Sequence, residues 1–253
     1  MGERLYRSQG VIIKRVDVGE ADRVLTILTP DGKIEATARG VRKTSSKLAG
    51  HLELLSVCQL QLAHGRSRDV ITQSVAIDRF APLQTSLLRM AAGYYVAELA
   101  DVMVGDEDAA SPTFVALTEA LQALCTASQI DMVVHWYTLA LCDAIGYRPQ
   151  LIECAVCGNR LDQQADRWSH GQGGMLCADC YRSDPHAQSI PLALFKLLRF
   201  VQREPVTQVM HVVQPGVVHT QAYQLMRHWI RRVHDRPLRA ADFFDDVRRQ
   251  HAN

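Results

Sequence analysis

No stretch of the 253-residue sequence is apolar for the roughly 20 residues that a membrane-spanning helix needs, which excludes an integral helical membrane protein. No basic leader followed by an apolar run opens the chain, and Tyr6 stands where a myristoylation signal needs Ser or Thr. The expectation is a cytoplasmic protein with no membrane partner, in a compartment that keeps thiols reduced. Catalytic signatures are missing as well: there is no P-loop, GxGxxG, G-x-S-x-G or H-E-x-x-H. Gly171-Gln172-Gly173-Gly174 has the glycines of a phosphate loop but not its lysine. The ten histidines are scattered. Asp17, Glu20 and Asp22 lie between two strand-like runs and read as a polar turn rather than an ion site. No catalytic residue is assigned, and the chain is expected not to be an enzyme. Aromatics are scarce too, and Tyr6 and Phe80 are the only two in residues 1–80.

What stands out against these absences is Cys154-Ala155-Val156-Cys157-Gly158 and Cys177-Ala178-Asp179-Cys180. Two CxxC pairs separated by 19 residues read as a four-thiolate metal site. Four thiolates close a tetrahedron with no open position, so Cys154, Cys157, Cys177 and Cys180 are expected to hold a structural Zn2+. The alternative is a pair of redox dithiols. Gly158 suits the tight turn after the second ligand, and Gly173-Gly174 would bend the chain back toward the metal. His170 and His186 have no ligand-like spacing to these cysteines. Cys58, Cys125 and Cys142 sit in apolar runs and read as small buried hydrophobes.

The formal net charge of +1 conceals an asymmetry. Residues 1–80 hold 13 Lys/Arg against 9 Asp/Glu, residues 81–195 hold 5 against 13, and residues 196–253 hold 10 against 5. Basic ends around an acidic middle suggest a polyanionic partner. Neutralisation of the segments within one fold would give the same totals.

From residue 8 to 80 the pattern is that of strands. Arg23–Thr29 is apolar and β-branched, and Pro30-Asp31-Gly32 signals a turn. Beyond it Ile34, Ala36 and Ala38 alternate with polar residues, as Cys58, Leu60 and Leu62 do later. Five strands in this length suit a small closed barrel, of oligonucleotide-binding (OB) type by preference, with an SH3-like barrel also compatible. After the third strand comes Arg39-Gly40-Val41-Arg42-Lys43-Thr44-Ser45-Ser46-Lys47, which has four cations, three hydroxyls and no acid. Cations neutralise phosphates and hydroxyls hydrogen-bond to them, so Arg39, Arg42, Lys43 and Lys47 are candidate nucleic-acid contacts.

Helical spacing takes over from Pro82, through Leu83, Leu87, Tyr95 and Leu99, with Glu98 the one charged residue in the stripe. Ser111-Pro112 predicts a helix start, and a third helix is predicted from about Asp131 to Ile145, ending at Gly146. Arg167-Trp168-Ser169 predicts a short strand between the cysteine pairs. A fourth helix is predicted from Pro191 to Pro205, and the last clear one from about Thr220 to His234, with basic Arg227, Arg231 and Arg232. Tyr94, Tyr95, Trp136 and Tyr137 read as core. The expected class is α+β and multidomain: an OB-type barrel over 1–80, a helical domain over 81–150 and 184–253, and a zinc module over 151–183.

Several short motifs, in order, make the chain resemble the RecO family of bacterial recombination mediators. They are Gly19-Glu20-Ala21-Asp22-Arg23-Val24-Leu25-Thr26, Asp31-Gly32-Lys33, Ala38-Arg39-Gly40-Val41-Arg42-Lys43 and Gly50–Ser56. Gly146-Tyr147-Arg148-Pro149 and the two cysteine pairs follow. The resemblance implies binding of single- and double-stranded DNA, annealing of complementary strands, and help in loading RecA recombinase on DNA coated by single-stranded-DNA-binding protein. It implies RecR as partner, with RecF often joining, and a nucleoid-associated location. Carried onto this chain, the phosphate contacts would be Arg39, Arg42, Lys43 and Lys47, with Lys33 on the adjoining strand face. Arg227, Arg231 and Arg232 would offer a second surface, for DNA or for the acidic tail of single-stranded-DNA-binding protein. Competing readings are a zinc-containing protein adaptor and an RNA-binding barrel protein.

Overall fold

The computed structural model describes residues 5–105, 110–162, 165, 167–234 and 236–251. Eight strands run as β1 (Leu5–Val18), β2 (Asp22–Thr29), β3 (Gly32–Ala38), β4 (Val57–Ala63), β5 (Asp69–Asp78), β6 (Arg167–Ser169), β7 (Gly174–Leu176) and β8 (Gln188–Ser189). The α-helices are α1 (Leu87–Met103), α2 (Ala110–Thr126), α3 (Ile130–Ala144), α4 (Leu192–Arg203), α5 (Val206–Val209), α6 (Gly216–Val233) and α7 (Arg239–His251). They fall into two compact units, one of residues up to Thr126 with Leu238–His251, the other Ala127–Pro237.

In the first unit β1 to β5 close a barrel in the order β1-β2-β3-β5-β4. The long β1 makes closure possible: Leu5–Val11 pairs with β4 and Val11–Val18 with β2. The last seam is a short parallel pairing of Ala36 with Asp69 and Thr37 with Val70. This strand order is that of the OB barrel, and it decides against the SH3-like alternative. The two-residue period holds, because Ile12, Leu25, Ile27, Ala36, Cys58, Leu60 and Leu62 are all buried in one core. At Gly10 the neighbouring strand comes so close that a Cβ would lie 2.4 Å from Ile27 Cγ2. A bulge between Ile12 and Lys14 bends β1 as it passes from one partner to the other.

The helical pattern starts later than Pro82. Ala81–Thr85 forms a 3-10 turn, and Ser86 caps α1 by accepting a hydrogen bond from the Arg89 N–H. Leu87, counted in the apolar stripe, is exposed. The Ser111-Pro112 start is also displaced: α2 already includes Ala110, and Pro112 sits in its first turn, where its missing N–H costs no helical bond. The last clear helix predicted from sequence stops at His234, yet a further helix, α7, follows and packs on α1, with Phe244 stacked on Tyr95 at 5.8 Å between centroids. This explains Glu98. Its carboxylate accepts from the N–H groups of Arg239 (3.0 Å) and Ala240 (2.6 Å), capping the positive end of α7.

The second unit is organised around α3, buried along almost its whole length, including Trp136 and Tyr137. Gly146, at φ +81°, ends it in the left-handed conformation, and the Tyr147 N–H reaches back to Cys142 O at 2.7 Å. α6 begins four residues before the predicted Thr220, at Gly216 after Pro215. The short sheet β7-β6-β8 holds the predicted strand at Arg167–Ser169. Its Trp168 is fully buried and packs edge-to-face on Trp229 of α6, 5.5 Å away. The Trp229 indole N–H donates to Tyr147 O at 3.2 Å, so one aromatic pair joins the sheet, α6 and the end of α3.

Candidate metal centre and nucleic-acid interface

The four cysteine sulfurs all lie within 4.8 Å of one another. Zinc–sulfur bonds of about 2.3 Å at tetrahedral angles require sulfur separations of about 3.8 Å, and Cys157 Sγ lies 3.8 Å from Cys177 Sγ. The donor set therefore fits a tetrahedral thiolate metal. No other group of three or more His, Cys, Asp or Glu converges in this way among the described residues. Local sequence accounts for the convergence. Gly158 takes φ +73° and donates its N–H to Cys154 O, closing the first turn. Gly174 lets the second arm approach so closely that a Cβ would sit 2.3 Å from Gln150 O. Met175 N–H then donates to Gln150 O, and Ala155 N–H to Met175 O, lacing the two cysteine loops together.

The electrostatics ask for a cation. Burial opposes the Cys154 thiolate, but the N–H groups of Cys157, Cys177 and Val156 outweigh it and bring this thiol down to about 6. The neighbouring thiols Cys177 and Cys157 push Cys180 up to about 12. Four thiolates this close repel one another, and a divalent ion is what lets all four ionise. In the three other cysteines burial is the main cause: it raises Cys58 to about 11 and Cys142 to about 12, and it raises Cys125 as well. They are inert packing groups.

The basic loop leaves β3 on a firm base. Val41 is buried, and the acidic β1–β2 turn clasps the loop from one side. Gly40 N–H donates to Asp22 Oδ1 at 2.7 Å and Arg42 N–H to Ala21 O at 2.9 Å. Asp17 bridges Arg23 (2.7 Å) and Arg42 (3.4 Å), and the Arg23 hydrogen bond above all holds its carboxyl below the usual range. The acidic turn is thus a clasp. Arg39, Arg42, Lys43 and Lys47 are all exposed, and Arg39, Lys43 and Lys47 have no side-chain partner among the described residues. Lys33 is not one of this free set. Its ammonium donates to Asp101 O (2.8 Å) and Val104 O (2.5 Å), satisfying carbonyls at the end of α1. Arg66 is not among the cations that the sequence singles out as contacts. It is exposed in the β4–β5 turn, without a partner among the described residues, and this turn is one that OB barrels use for oligonucleotides. Neither scarce aromatic is free to stack on a base, since the Tyr6 hydroxyl bonds to Asp69 and its ring lies on His64, while Phe80 is buried.

Arg231 and Arg232 are exposed together on the last turn of α6, whereas Arg227 lies over the Tyr223 ring at 5.8 Å. On α7, Arg248 pairs with Asp245, and Arg249 with Asp245 and Asp246. No helix among the described residues is long and apolar enough to cross a membrane.

Comparison with known proteins agrees with this architecture. Residues 1–80 match the family described as Recombination protein O N terminal, and residues 84–242 the family described as Recombination protein O C terminal. A DNA repair protein RecO of Roseiflexus sp. is 44% identical over 248 residues, 98% of this chain and 88% of that protein. A protein of the same name from Dehalococcoides mccartyi is 33% identical over 245 residues, 96% of each chain. Another, from Nocardioides sp., is 36% identical over 181 residues, 70% of this chain and 74% of that protein.

Proposed function

The chain belongs to the RecO family of DNA repair proteins, with a role in recombinational repair, and from that premise we propose that it is a non-catalytic mediator that anneals DNA strands. The reading extends to helping RecA load on DNA coated by single-stranded-DNA-binding protein, with RecR, and RecF where present, as partners. The observation that carries it is the clasped basic loop: Arg39, Lys43 and Lys47 exposed without partners among the described residues on an OB-type barrel, with Arg42 beside them. Arg66 adds a fifth cation from the β4–β5 turn.

Two complementary strands repel because both are polyanions. A surface cation that neutralises a phosphate releases a condensed counterion, so several of them on one rigid loop hold a strand without reading its sequence. Two strands held on one protein meet at a raised effective concentration. Release of the duplex requires contacts that salt can compete away. With Tyr6 and Phe80 both engaged in packing, base stacking contributes little and phosphate contact dominates. Zinc, held by Cys154, Cys157, Cys177 and Cys180, supplies structure to the module and no chemistry to the strands.

The test is fluorescence anisotropy of a single-stranded oligonucleotide across a salt series, beside an RNA of the same sequence, followed by strand annealing and RecA loading. Salt-sensitive DNA binding without RNA preference, together with annealing, is expected. A flat salt response, or a clear preference for structured RNA, would overturn the proposal in favour of the adaptor or the RNA-binding reading.

A further inference from the structure

A cleft of about 570 Å³ in the second unit has a lining that the metal centre does not use. His170, from the β6–β7 turn, faces it, with Asp184 and His186 from the segment leading into β8, and His228, Arg231 and Arg232 from the end of α6. The two arginines offset the partial negative charge at the α6 terminus, and helix stability alone would account for them. It does not account for three histidines and a fixed carboxylate around the same space.

Each polar group has a definite role to offer. Trp168 Nε1 lies 3.2 Å from His170 Nδ1, and an indole N–H can only donate. Nδ1 is therefore unprotonated, and His170 carries its proton on Nε2 as a neutral donor. Burial, then the nearby His228 and Arg232, hold it below the ordinary histidine value, in keeping with that tautomer. Asp184 is a preset acceptor. Ser169 donates to its Oδ2 and His186 N–H to its Oδ1 at 2.8 Å, which fixes the carboxylate. Gly171 keeps the space beside it open, since a Cβ there would come within 3.3 Å of Asp184 Oδ2. Arg231 and Arg232 are exposed and supply the positive charge at the rim. The Ser169 hydrogen bond, then that of His186, and behind them the nearby Arg232 hold the Asp184 carboxyl below the usual range.

A fixed carboxylate repels a bare anion, and the two exposed arginines attract one. A ligand that satisfies both carries a phosphate at one end and hydrogen-bond donors at the other. We propose that this cleft binds a nucleoside monophosphate unit, its phosphate against Arg231, Arg232 and His228, and its base or sugar donors toward Asp184. The volume lies within the range of about 300–1,000 Å³ usual for small-molecule sites. The unit could be a free nucleotide or the terminal nucleotide of a DNA strand, and only the second source rests on the DNA-binding reading above.

The test uses the full-length, metal-loaded protein. Calorimetric titration with dAMP, deoxyadenosine and inorganic phosphate should show dAMP binding at least about tenfold more tightly than either fragment. The double variant Arg231→Ala/Arg232→Ala should lose at least about tenfold in that affinity with unchanged metal content and melting temperature. Two oligonucleotides, with and without a 5′-phosphate, then separate the sources. A 5′-phosphate preference lost in the double variant assigns the strand end, and its absence alongside dAMP binding assigns the free nucleotide. No dAMP binding, dAMP binding no tighter than phosphate, or full binding by the double variant would each overturn the proposal. The variant Arg42→Glu/Lys43→Glu should bind dAMP normally, so failure of the barrel reading and failure of this one can be told apart.

Discussion

The barrel and the cysteine module solve the same problem with different means. The barrel spreads its stability over many apolar contacts, from Ile12 in β1 to Ile71 in β5, with every strand contributing to one core. The module has strands of three, three and two residues and one large buried ring, Trp168. Strands that short are not independently stable, so the module needs a cross-link from outside the set of side-chain contacts. A metal ion held by the four clustered sulfurs would provide it. Distributed packing gives a scaffold that tolerates change on its surface, and the barrel carries a basic loop there. A staple gives order at one point and fails at one point.

The widest way to break the comparison is to remove the staple. Chelation, or Cys157→Ser, should release the metal and unfold the module, with a large fall in the melting temperature of the second unit. Normal metal content and melting in Cys157→Ser would show that the module orders itself, as the barrel does. Next in size is Trp168→Ala, expected to cost the second unit about 3–5 kcal/mol by leaving a cavity against Trp229. Denaturant unfolding measures it, and a loss below about 1 kcal/mol would mean that the ring is not the module's core.

Smaller still in stability, and larger in function, is the barrel loop. Arg42→Glu/Lys43→Glu should leave melting almost unchanged and weaken single-stranded DNA binding by an order of magnitude or more, with a shallower salt slope. Unchanged affinity would remove the loop from the interface. The finest test is Asp17→Asn. It releases Arg42 and Arg23 from their shared carboxylate, so binding should tighten slightly, with the salt slope steeper by at most about one ion. Weaker binding would instead show that the clasp's positioning of the loop matters more than the charge it neutralises.

The parts legible in the sequence were those with a short-range signature. Alternation at Ile34–Ala38 and Cys58–Leu62 marked strands, Gly146 marked the end of α3, and two CxxC pairs marked the four-cysteine cluster. Single residues that answer to distant partners were read less well. Lys33 looked like another surface cation, but its partners are carbonyls of Asp101 and Val104, far along the chain. Glu98 looked like a flaw in an apolar stripe, and its meaning lies in the first turn of α7. A lone charge on an apolar helix face is a signal for a long-range cap, although it does not name the helix capped. α7 itself escaped because its apolar residues are few and its charges pair internally, Arg248 and Arg249 with Asp245 and Asp246.

The sequence by itself determined the period of β3 and β4 and of most helices, the four cysteines that come together in one cluster, and the cluster of cations after β3. These depend on neighbours within a few residues, where bonded geometry and side-chain period leave little freedom. Only the tertiary structure decided that β3 and β5 close the barrel in parallel, that α7 returns to pack on α1, and which cations stay free. It also decided that His170, His186 and His228 face one cleft. Those outcomes rest on contacts between residues tens to more than a hundred positions apart. There the choice of partner depends on which faces are left to bury and which backbone groups still lack a hydrogen bond.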